Sequence, residues 1–476
     1  MVDVVVVGAG SAGCALAARL VERSGREVLL LEAGPAGRPA ELRDAASLAA
    51  TAPDHPRNWA YVAQLRAGVD AVVPRGRGLG GSSAINGANW LRATPADCAG
   101  WGAGWTYPEL LAHYVRAETD HDFGTRPGHG DRGPVPVRRP AGELLHPAAE
   151  RFLVAADRLG FPAEPDKNAG AAPGVGLVPS NCNDGERVDA ATAYLDRPRP
   201  GLSVRTDAPV ARVLLDGGRA VGVELRDGTR VEAGEVVLAA GAVGSPHLLM
   251  LSGIGPADVL RAAGLRVRLD LPGVGQGWSD HPSVFLPFAD ADPPAHPRAP
   301  GSQVALDADA GADPAGDVQV LLFVRPFVPG GDLHLMCALQ QPDSRGVLTP
   351  VSPHPADQPR IEYRYLRTEH DRRRLRHAIR TAAELLRAGV GERTDPGGEV
   401  LGNDRALDGW VGAHLTTAVH MCGGAAIGPV VDLELRVLGL GGLRVADTSV
   451  LPVAPRRGPA ATAVAIGEKA AALMQG

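Results

Sequence analysis

Val4-Val5-Val6-Val7-Gly8-Ala9-Gly10-Ser11-Ala12-Gly13 is the stretch on which the fold turns. The valine run has the pattern of a buried parallel strand, and the pattern that follows it is helical, with Leu16 and Leu20 on one face. A second apolar run, Val28–Leu31, ends at Glu32, nineteen residues past Gly13. Together these predict a βαβ unit built for a dinucleotide. Gly8 makes the tight turn, Gly10 lets backbone approach a pyrophosphate, and Gly13 lets the helix pack close to the sheet. The helix N-terminus, opening at Ser11, offers free N–H groups and a partial positive charge to phosphate. Glu32 is placed to accept hydrogen bonds from a ribose diol, which selects an adenosine with a free 2′-hydroxyl. NAD and FAD both meet that description.

Composition narrows the field. A chain of 476 residues is too long for one ordinary core and suits two or three lobes. A net charge of −6 without sustained Lys/Arg runs gives no sign of nucleic acid. The densest basic patch (Arg372, Arg373, Arg374, Arg376) falls in a helical pattern and reads as a solvated face. Five cysteines without metal spacing make neither a disulfide framework nor a metal site, and read as a reducing compartment. No window approaches a membrane span, so no transmembrane segment is expected. The first strand starts by residue 3 or 4, leaving no room for a signal peptide. The expectation is a cytoplasmic protein, with peripheral attachment at the inner face of the membrane left open.

Alternating strand and helix patterns run to about residue 120. Leu202–Val213, Ala220–Leu225 and Val236–Ala240 then read as strands, the last ending at Gly241-Ala242 as if delivering backbone to a ligand. After Pro282 the pattern becomes that of an alternating sheet (Val318–Val324, Asp332–Leu339, Ile361–Tyr365), followed by a helix over Asp371–Leu386. A strand at Leu443–Asp447 and a helix over Ala460–Leu473 close the chain. Ala289–Asp317, rich in Ala, Pro and Asp, reads as an irregular loop or lid. The expected class is α/β (α+β): a Rossmann-like dinucleotide-binding domain from discontinuous segments (1–140, 200–284, 420–476), which the resemblance below makes FAD-binding, and an antiparallel-sheet substrate-binding domain with helices (141–199, 285–419). The active site is expected at their junction.

Two further stretches decide the cofactor. Gly76-Arg77-Gly78-Leu79-Gly80-Gly81-Ser82-Ser83-Ala84-Ile85-Asn86-Gly87-Ala88-Asn89-Trp90 is a second glycine-rich loop. Gly241-Ala242-Val243-Gly244-Ser245-Pro246-His247-Leu248-Leu249-Met250-Leu251-Ser252-Gly253-Ile254-Gly255 is the other. With the N-terminal fingerprint and Val445-Ala446-Asp447-Thr448-Ser449-Val450-Leu451-Pro452, they resemble the glucose–methanol–choline (GMC) oxidoreductases over residues 2 to 473. The resemblance implies FAD. The cofactor-contacting set it implies adds Ala33, Gly78, Gly81, Val210, Ala240, Gly241, Pro459 and Thr462 to Gly8, Gly10, Ser11, Gly13 and Glu32. Ser83 and Asn86 are expected at the ring edge or diphosphate, and Asp447 at the diphosphate–ribityl region. Some family members attach FAD through a histidine at the position of Ile85. Isoleucine forms no such bond, so non-covalent FAD is expected.

Oxidising an alcohol takes a hydride from carbon and a proton from oxygen, and the proton needs a base of pKa near ~7. The family places that base in a His-x-x-Gly segment, which here is His420-Met421-Cys422-Gly423, so His420 is the expected catalytic base. His414 is a weaker candidate for the pocket wall. His281, in Asp280-His281-Pro282, is expected to be structural with Asp280 orienting its ring; His247 and Cys422 are expected to be packing residues. The family usually carries a second His or Asn before a C-terminal proline. Here that residue is Gly458, before Pro459, and Arg456 and Arg457 are the nearby candidates to replace it.

Glu118–Arg139 and the Arg-Gly-Pro at 457–459 resemble the mycofactocin-associated branch. That branch implies a dehydrogenase that reoxidises mycofactocinol and passes electrons to a quinone or the respiratory chain. A dehydrogenase is favoured over an oxidase because a cytosolic oxidase would release peroxide beside the cell's thiols. The alternatives are a small-alcohol oxidase of the same family, a flavin-containing cyanohydrin lyase, and a flavin-binding protein that has lost turnover.

Overall fold

The computed structural model describes residues 2–475. Val2–Val7 is the hub of the first sheet. It pairs in parallel with Val28–Leu31 on one side and Arg230–Leu238 on the other, with Val5 level with Leu29 and Val236. Leu202–Arg205 extends the parallel array beyond Val28–Leu31, and Leu443–Val445 adds to Arg230–Leu238. An antiparallel ribbon, Val210–Asp216 and Arg219–Leu225, pairs with the first half of Arg230–Leu238. The continuous valine run suits a strand covered on both faces, and Val4, Val5 and Val6 are fully buried. Helix Ser11–Ser24 starts after Gly10 and stops at Gly25, a left-handed cap at φ 64°. It packs against helix Ala460–Leu473 so closely that a Cβ on Gly467 would lie 2.2 Å from the Ala12 carbonyl oxygen.

The second large sheet is antiparallel. Its order is Glu392–Arg393, Pro282–Ala289, Leu333–Leu339, Val318–Phe323, Ser302–Ala308 and Val175–Leu177, with Thr416–Thr417 on Pro282–Ala289. Helix Glu369–Leu385 lies against this sheet and buries Leu375, Ile379 and Ala382. A third sheet joins Gln276–Trp278, Gly346–Thr349, Arg360–Glu362, Tyr61–Arg66 and Val69–Val73.

Three expectations are corrected. Ala289–Asp317 is not irregular throughout: Ser302–Ala308 is an interior strand of the second sheet. Val304 and Leu306 alternate there, a signal hidden by the surrounding Ala, Asp and Pro. Leu202–Val213 is two strands rather than one, broken where Asp207 takes φ 51° just before Pro209. The strand beginning at Arg360 ends at Glu362, since Arg364 and Leu366 both have left-handed backbone.

Candidate active site

Two glycine loops meet backbone to backbone. A Cβ on Gly81 would lie 2.7 Å from the Gly10 Cα, so the second loop has no room for a side chain at the contact. A Cβ on Gly10 itself would meet only that Gly81 Cα, at 3.9 Å, and the rest of its surroundings is open. Gly8 (φ 106°) and Gly13 serve packing: added Cβ atoms would strike the Ala239 and Gly8 carbonyl oxygens at 2.5 and 1.9 Å. Ser11 opens the helix beside Gly10. This bare cradle at the N-terminus of a long helix fits a dinucleotide pyrophosphate.

Glu32 is more engaged than a simple ribose acceptor. One oxygen accepts from Ala9 N at 2.9 Å, and the other accepts from Gly34 N and Gly78 N, both at 2.9 Å. Burial raises its pKa, while these N–H donors pull the other way. Glu32 therefore ties the first glycine loop, the Ala33-Gly34 turn and the second glycine loop into one unit. One lone pair, on the oxygen that accepts only from Ala9, remains for a ribose hydroxyl. Asp447 is a second tie. Its Oδ2 accepts from Gly241 N at 2.9 Å and from Ser245 Oγ at 2.5 Å, and Oδ1 accepts from Ser449 N at 2.8 Å. Ala240 N in turn donates to Ser245 Oγ.

Other expected contacts are occupied within the protein. Ser83 Oγ donates to Gly80 O at 2.6 Å and accepts from Ala190 N at 3.0 Å. Asn86 Oδ1 accepts from Ala88 N and from Arg187 Nη1. The Thr462 hydroxyl is fully buried, 2.7 Å from the Tyr114 hydroxyl, one turn into the helix that follows Pro459. Val210 begins the antiparallel ribbon, and Ile85 is buried beside the second loop.

Beside Gly458 stands a histidine pair. His281 Nδ1 and His420 Nδ1 lie 2.9 Å apart with rings at 82°. Asp280 does not touch either ring. Its Oδ1 accepts from the backbone N–H of His281 at 2.6 Å and of His420 at 2.8 Å, clamping both main chains. This corrects the expectation that Asp280 orients an imidazole. Val419, just before His420, holds φ 64°, a conformation a β-branched residue rarely adopts. Its carbonyl accepts from Arg75 Nη1 at 2.6 Å and its N–H donates to Thr417 Oγ1 at 2.9 Å. This bracing turns His420 toward Gly458. A Cβ on Gly458 (φ 79°) would lie 2.9 Å from His420 Nε2.

Burial pushes the His420 pKa down to about 3, with the Arg75 cation adding to the effect. His281 is held well below its ordinary value by burial and then by His420. Both rings are therefore neutral at pH 7. Burial also lifts Asp280 to about 6, opposed by Arg75 and the two clamped N–H groups. The remaining candidates lie elsewhere or are occupied. His414 is exposed and stacks on Trp410. Cys422 Sγ contacts the His420 carbonyl, and burial raises its thiol pKa, which keeps it inert. Arg456 is paired with Asp97 and Asp313, and Arg457 with Glu164 and Asp307, so neither guanidinium is free for a substrate oxygen. Arg75 and the role of His281 went unread in the sequence. The cue for Arg75 is its place immediately before the second glycine loop.

Comparison with known proteins agrees with this geometry. Family models described as GMC oxidoreductase match residues 2–283 and 342–467. The chain is 40 % identical to an uncharacterized GMC-type oxidoreductase in the thcA 5′ region of Rhodococcus erythropolis, covering 100 % of this chain and 98 % of the relative. It is 33 % identical to the oxygen-dependent choline dehydrogenase of Photobacterium profundum, covering 98 % of this chain and 92 % of the relative. Among solved structures, pyridoxine 4-oxidase from Mesorbium loti superposes with a TM-score of 0.92 at 31 % identity, covering 99 % of each chain. On the fold, the two-loop cradle and these matches, the chain belongs to the GMC oxidoreductase family.

Proposed function

We propose that the protein is an FAD-dependent dehydrogenase that oxidises a CH–OH donor to its carbonyl, with His420 as the base. The Gly10/Gly81 cradle, Glu32 and the Asp447 tie would hold the cofactor, non-covalently because Ile85 offers no attachment. Bound FAD supplies the hydride acceptor. The rest is done by the chain. The observation that carries the reading is the Nδ1–Nδ1 contact of His281 and His420. One hydrogen lies in that contact, and its position decides what Nε2 of His420 can do. With the hydrogen on His420, His281 accepts it and carries its own proton on Nε2, which is buried without a protein partner. Nε2 of His420 is then unprotonated and faces Gly458. It takes the hydroxyl proton as the hydride leaves the carbinol carbon and the C=O bond forms.

On the proposed division, His281 lies three residues before the boundary at 284 and His420 opens the segment 420–476, and the strand Pro282–Ala289 crosses from the FAD-binding part into the substrate-binding part. Electrons are proposed to pass to a quinone or other respiratory acceptor rather than to oxygen. The mycofactocin reading draws on Glu118–Arg139. In the structure Glu118, Asp120, His129 and Arg139 form a buried charge cluster, which explains those residues by folding alone. Mycofactocinol is therefore the alternative donor to test.

The test is anaerobic mixing of the FAD-loaded protein with an alcohol panel that includes mycofactocinol. The expected result is flavin bleaching with one carbonyl formed per flavin. Cyanohydrin cleavage with the flavin still oxidised would make the protein a lyase. Bound FAD with no bleaching by any donor would make it a lapsed enzyme.

A further inference from the structure

His281 Nε2 is one of several buried polar atoms left without a partner at one corner of the second sheet. Ser283 Oγ and both polar atoms of the Gln340 amide share that state among the described residues. His281 and Ser283 are fully buried, and Gln340 is 1 % exposed. Register gathers these groups. Ser283 is level with Ala338, and two further steps along the same antiparallel pair bring Gln340 level with His281. Residues level with one another, and residues two apart on one strand, point to the same face. The Gln340 backbone is near enough to the His281 ring to favour its charged form.

The neighbours of these groups are committed. The next row on that face is packed hydrocarbon, Phe285 opposite Met336. One strand further, Gln319 donates to Asp307, which Lys167 and Arg457 already hold. The Gln340 main chain is pinned, its N–H donating to the Asp317 carbonyl at 2.7 Å. The adjoining Gln341 side chain donates to the Ala454 carbonyl at 3.1 Å. Buried polar groups of folded proteins are almost always hydrogen-bonded. Three side chains orphaned together beside one ring therefore act as a set. Level side chains stand about 5 Å apart at Cβ, a gap that one bridging water spans.

We propose that Gln340 is the positioning residue behind the base: its amide oxygen and Ser283 Oγ accept the two hydrogens of one bridging water, and that water accepts the Nε2–H of His281. With both of its hydrogens engaged, the water can only accept from the ring. His281 then keeps its proton on Nε2 and leaves Nδ1 to accept from His420, 2.9 Å away. The chain from Gln340 through the water and His281 ends at the bare Nε2 of His420, beside Gly458. The reverse direction would put hydrogen on that atom and abolish the base. The inference rests on the reading of His420 as the base and adds what holds its partner.

Two measurements on the FAD-loaded protein separate the inference from that reading. The first needs no substrate: ¹⁵N NMR of histidine-labelled protein, in which protonated and bare ring nitrogens resonate apart. His420 should carry hydrogen on Nδ1 and none on Nε2. Gln340→Leu, which keeps the volume and removes the acceptor, should put hydrogen on Nε2 of His420 in about half of the molecules or more. The milder Ser283→Ala should shift the balance the same way. The second is anaerobic flavin reduction by the donor of the alcohol panel that bleaches the wild-type flavin fastest. Gln340→Leu should lower the rate about tenfold, and Gln340→Glu, which keeps an acceptor oxygen in either protonation state, should stay within about threefold of wild type. In a His281→Gln background, Gln340→Leu should cost less than about twofold, because it acts through the ring. Hydrogen on Nε2 of His420 in the wild type, an unchanged tautomer in both Gln340→Leu and Ser283→Ala, equal losses for the Leu and Glu variants, or a full loss that persists with His281→Gln would each overturn the inference. The expected tautomer shifts, with no alcohol reducing the wild-type flavin, would support Gln340 and sink the alcohol-oxidising reading instead.

Discussion

His281 and His420 meet through their Nδ1 atoms at 2.9 Å, and Asp280 fixes the pair by accepting from both backbones rather than from either ring. The consequence is tautomeric control. A neutral His420 serves as a base at Nε2 only when His281 accepts its Nδ1 hydrogen. His281→Ala should therefore slow flavin reduction by about 10–10²-fold with FAD retained. His281→Gln, whose amide oxygen can still accept, should recover part of the rate. Stopped-flow reduction of both variants decides the point. Equal rates for Ala and Gln would reduce His281 to a packing residue.

The downward shift of His420 to about 3 sets the pH profile. The base form persists well below the ordinary histidine value of about 6.5, so the one inflection expected between about pH 8 and about pH 5 is that of Asp280, lifted to about 6, whose protonation weakens its clamp on the two backbones; with Asp280→Asn the rate should stay flat over that window. An acid limb near 6.5 that survives Asp280→Asn would mean that the ring is far more hydrated than its burial implies.

Gly458 explains the missing second His or Asn. Its φ of 79° favours glycine, and a Cβ there would press on His420 Nε2 at 2.9 Å. Gly458→Asn, which restores the common family residue, should lower flavin reduction at least about tenfold by displacing the base, with FAD content unchanged. An increase in rate would show that the site tolerates, and uses, a second polar group.

Glu32 was legible as an acid at the right distance from the first glycine loop, but its structural work was not. Three backbone N–H groups converge on it from segments far apart in sequence, and only the folded chain brings them together. Glu32→Gln removes acceptor capacity and turns an N–H₂ group toward those donors. It should release FAD at least about tenfold more readily and cost roughly 1–3 kcal/mol. Thermal melting and FAD retention on a desalting column test this, and wild-type retention would contradict it.

The buried charge cluster predicts a pH window of stability. Despite desolvation, hydrogen bonds to Asp120, Asp166 and Glu118 raise His129 to about 10, and His129 and Arg139 hold Asp120 well below the usual carboxylate range. The raised histidine contributes stability that is complete below its unfolded value of about 6.5 and is lost as pH rises through 10. The depressed Asp120 contributes stability above its unfolded value of about 3.9 and loses it as pH falls further. Chemical denaturation should show stability declining from about pH 6 to about pH 10. His129→Ala should cost roughly 3–5 kcal/mol at pH 6 and flatten that decline. An unchanged slope would place the titrating group elsewhere.

Much of the scaffold was legible because its signals are local. The valine run, the glycine spacing and helix Ala460–Leu473 are each written in adjacent residues. The strand at Ser302–Ala308 was not, because its alternation is short and set in a stretch of Ala, Asp and Pro. At the site, His420 could be named from its segment. Its partner His281, its brace Arg75 and the strained Val419 depend on contacts across more than a hundred residues, which no spacing rule encodes. Ser83 and Thr462 show the converse: both stand in motifs that suggest ligand contact, yet their hydroxyls are occupied by Gly80, Ala190 and Tyr114.

The account stands on His420 as the base, and the most direct measurement is anaerobic stopped-flow reduction of the FAD-loaded His420→Ala variant by the donor of the alcohol panel that bleaches the wild-type flavin fastest. Wild-type FAD content with a reduction rate lowered by about 10²–10⁴-fold is the predicted result. Reduction at a near wild-type rate with FAD fully bound would contradict the account and move proton abstraction to another group.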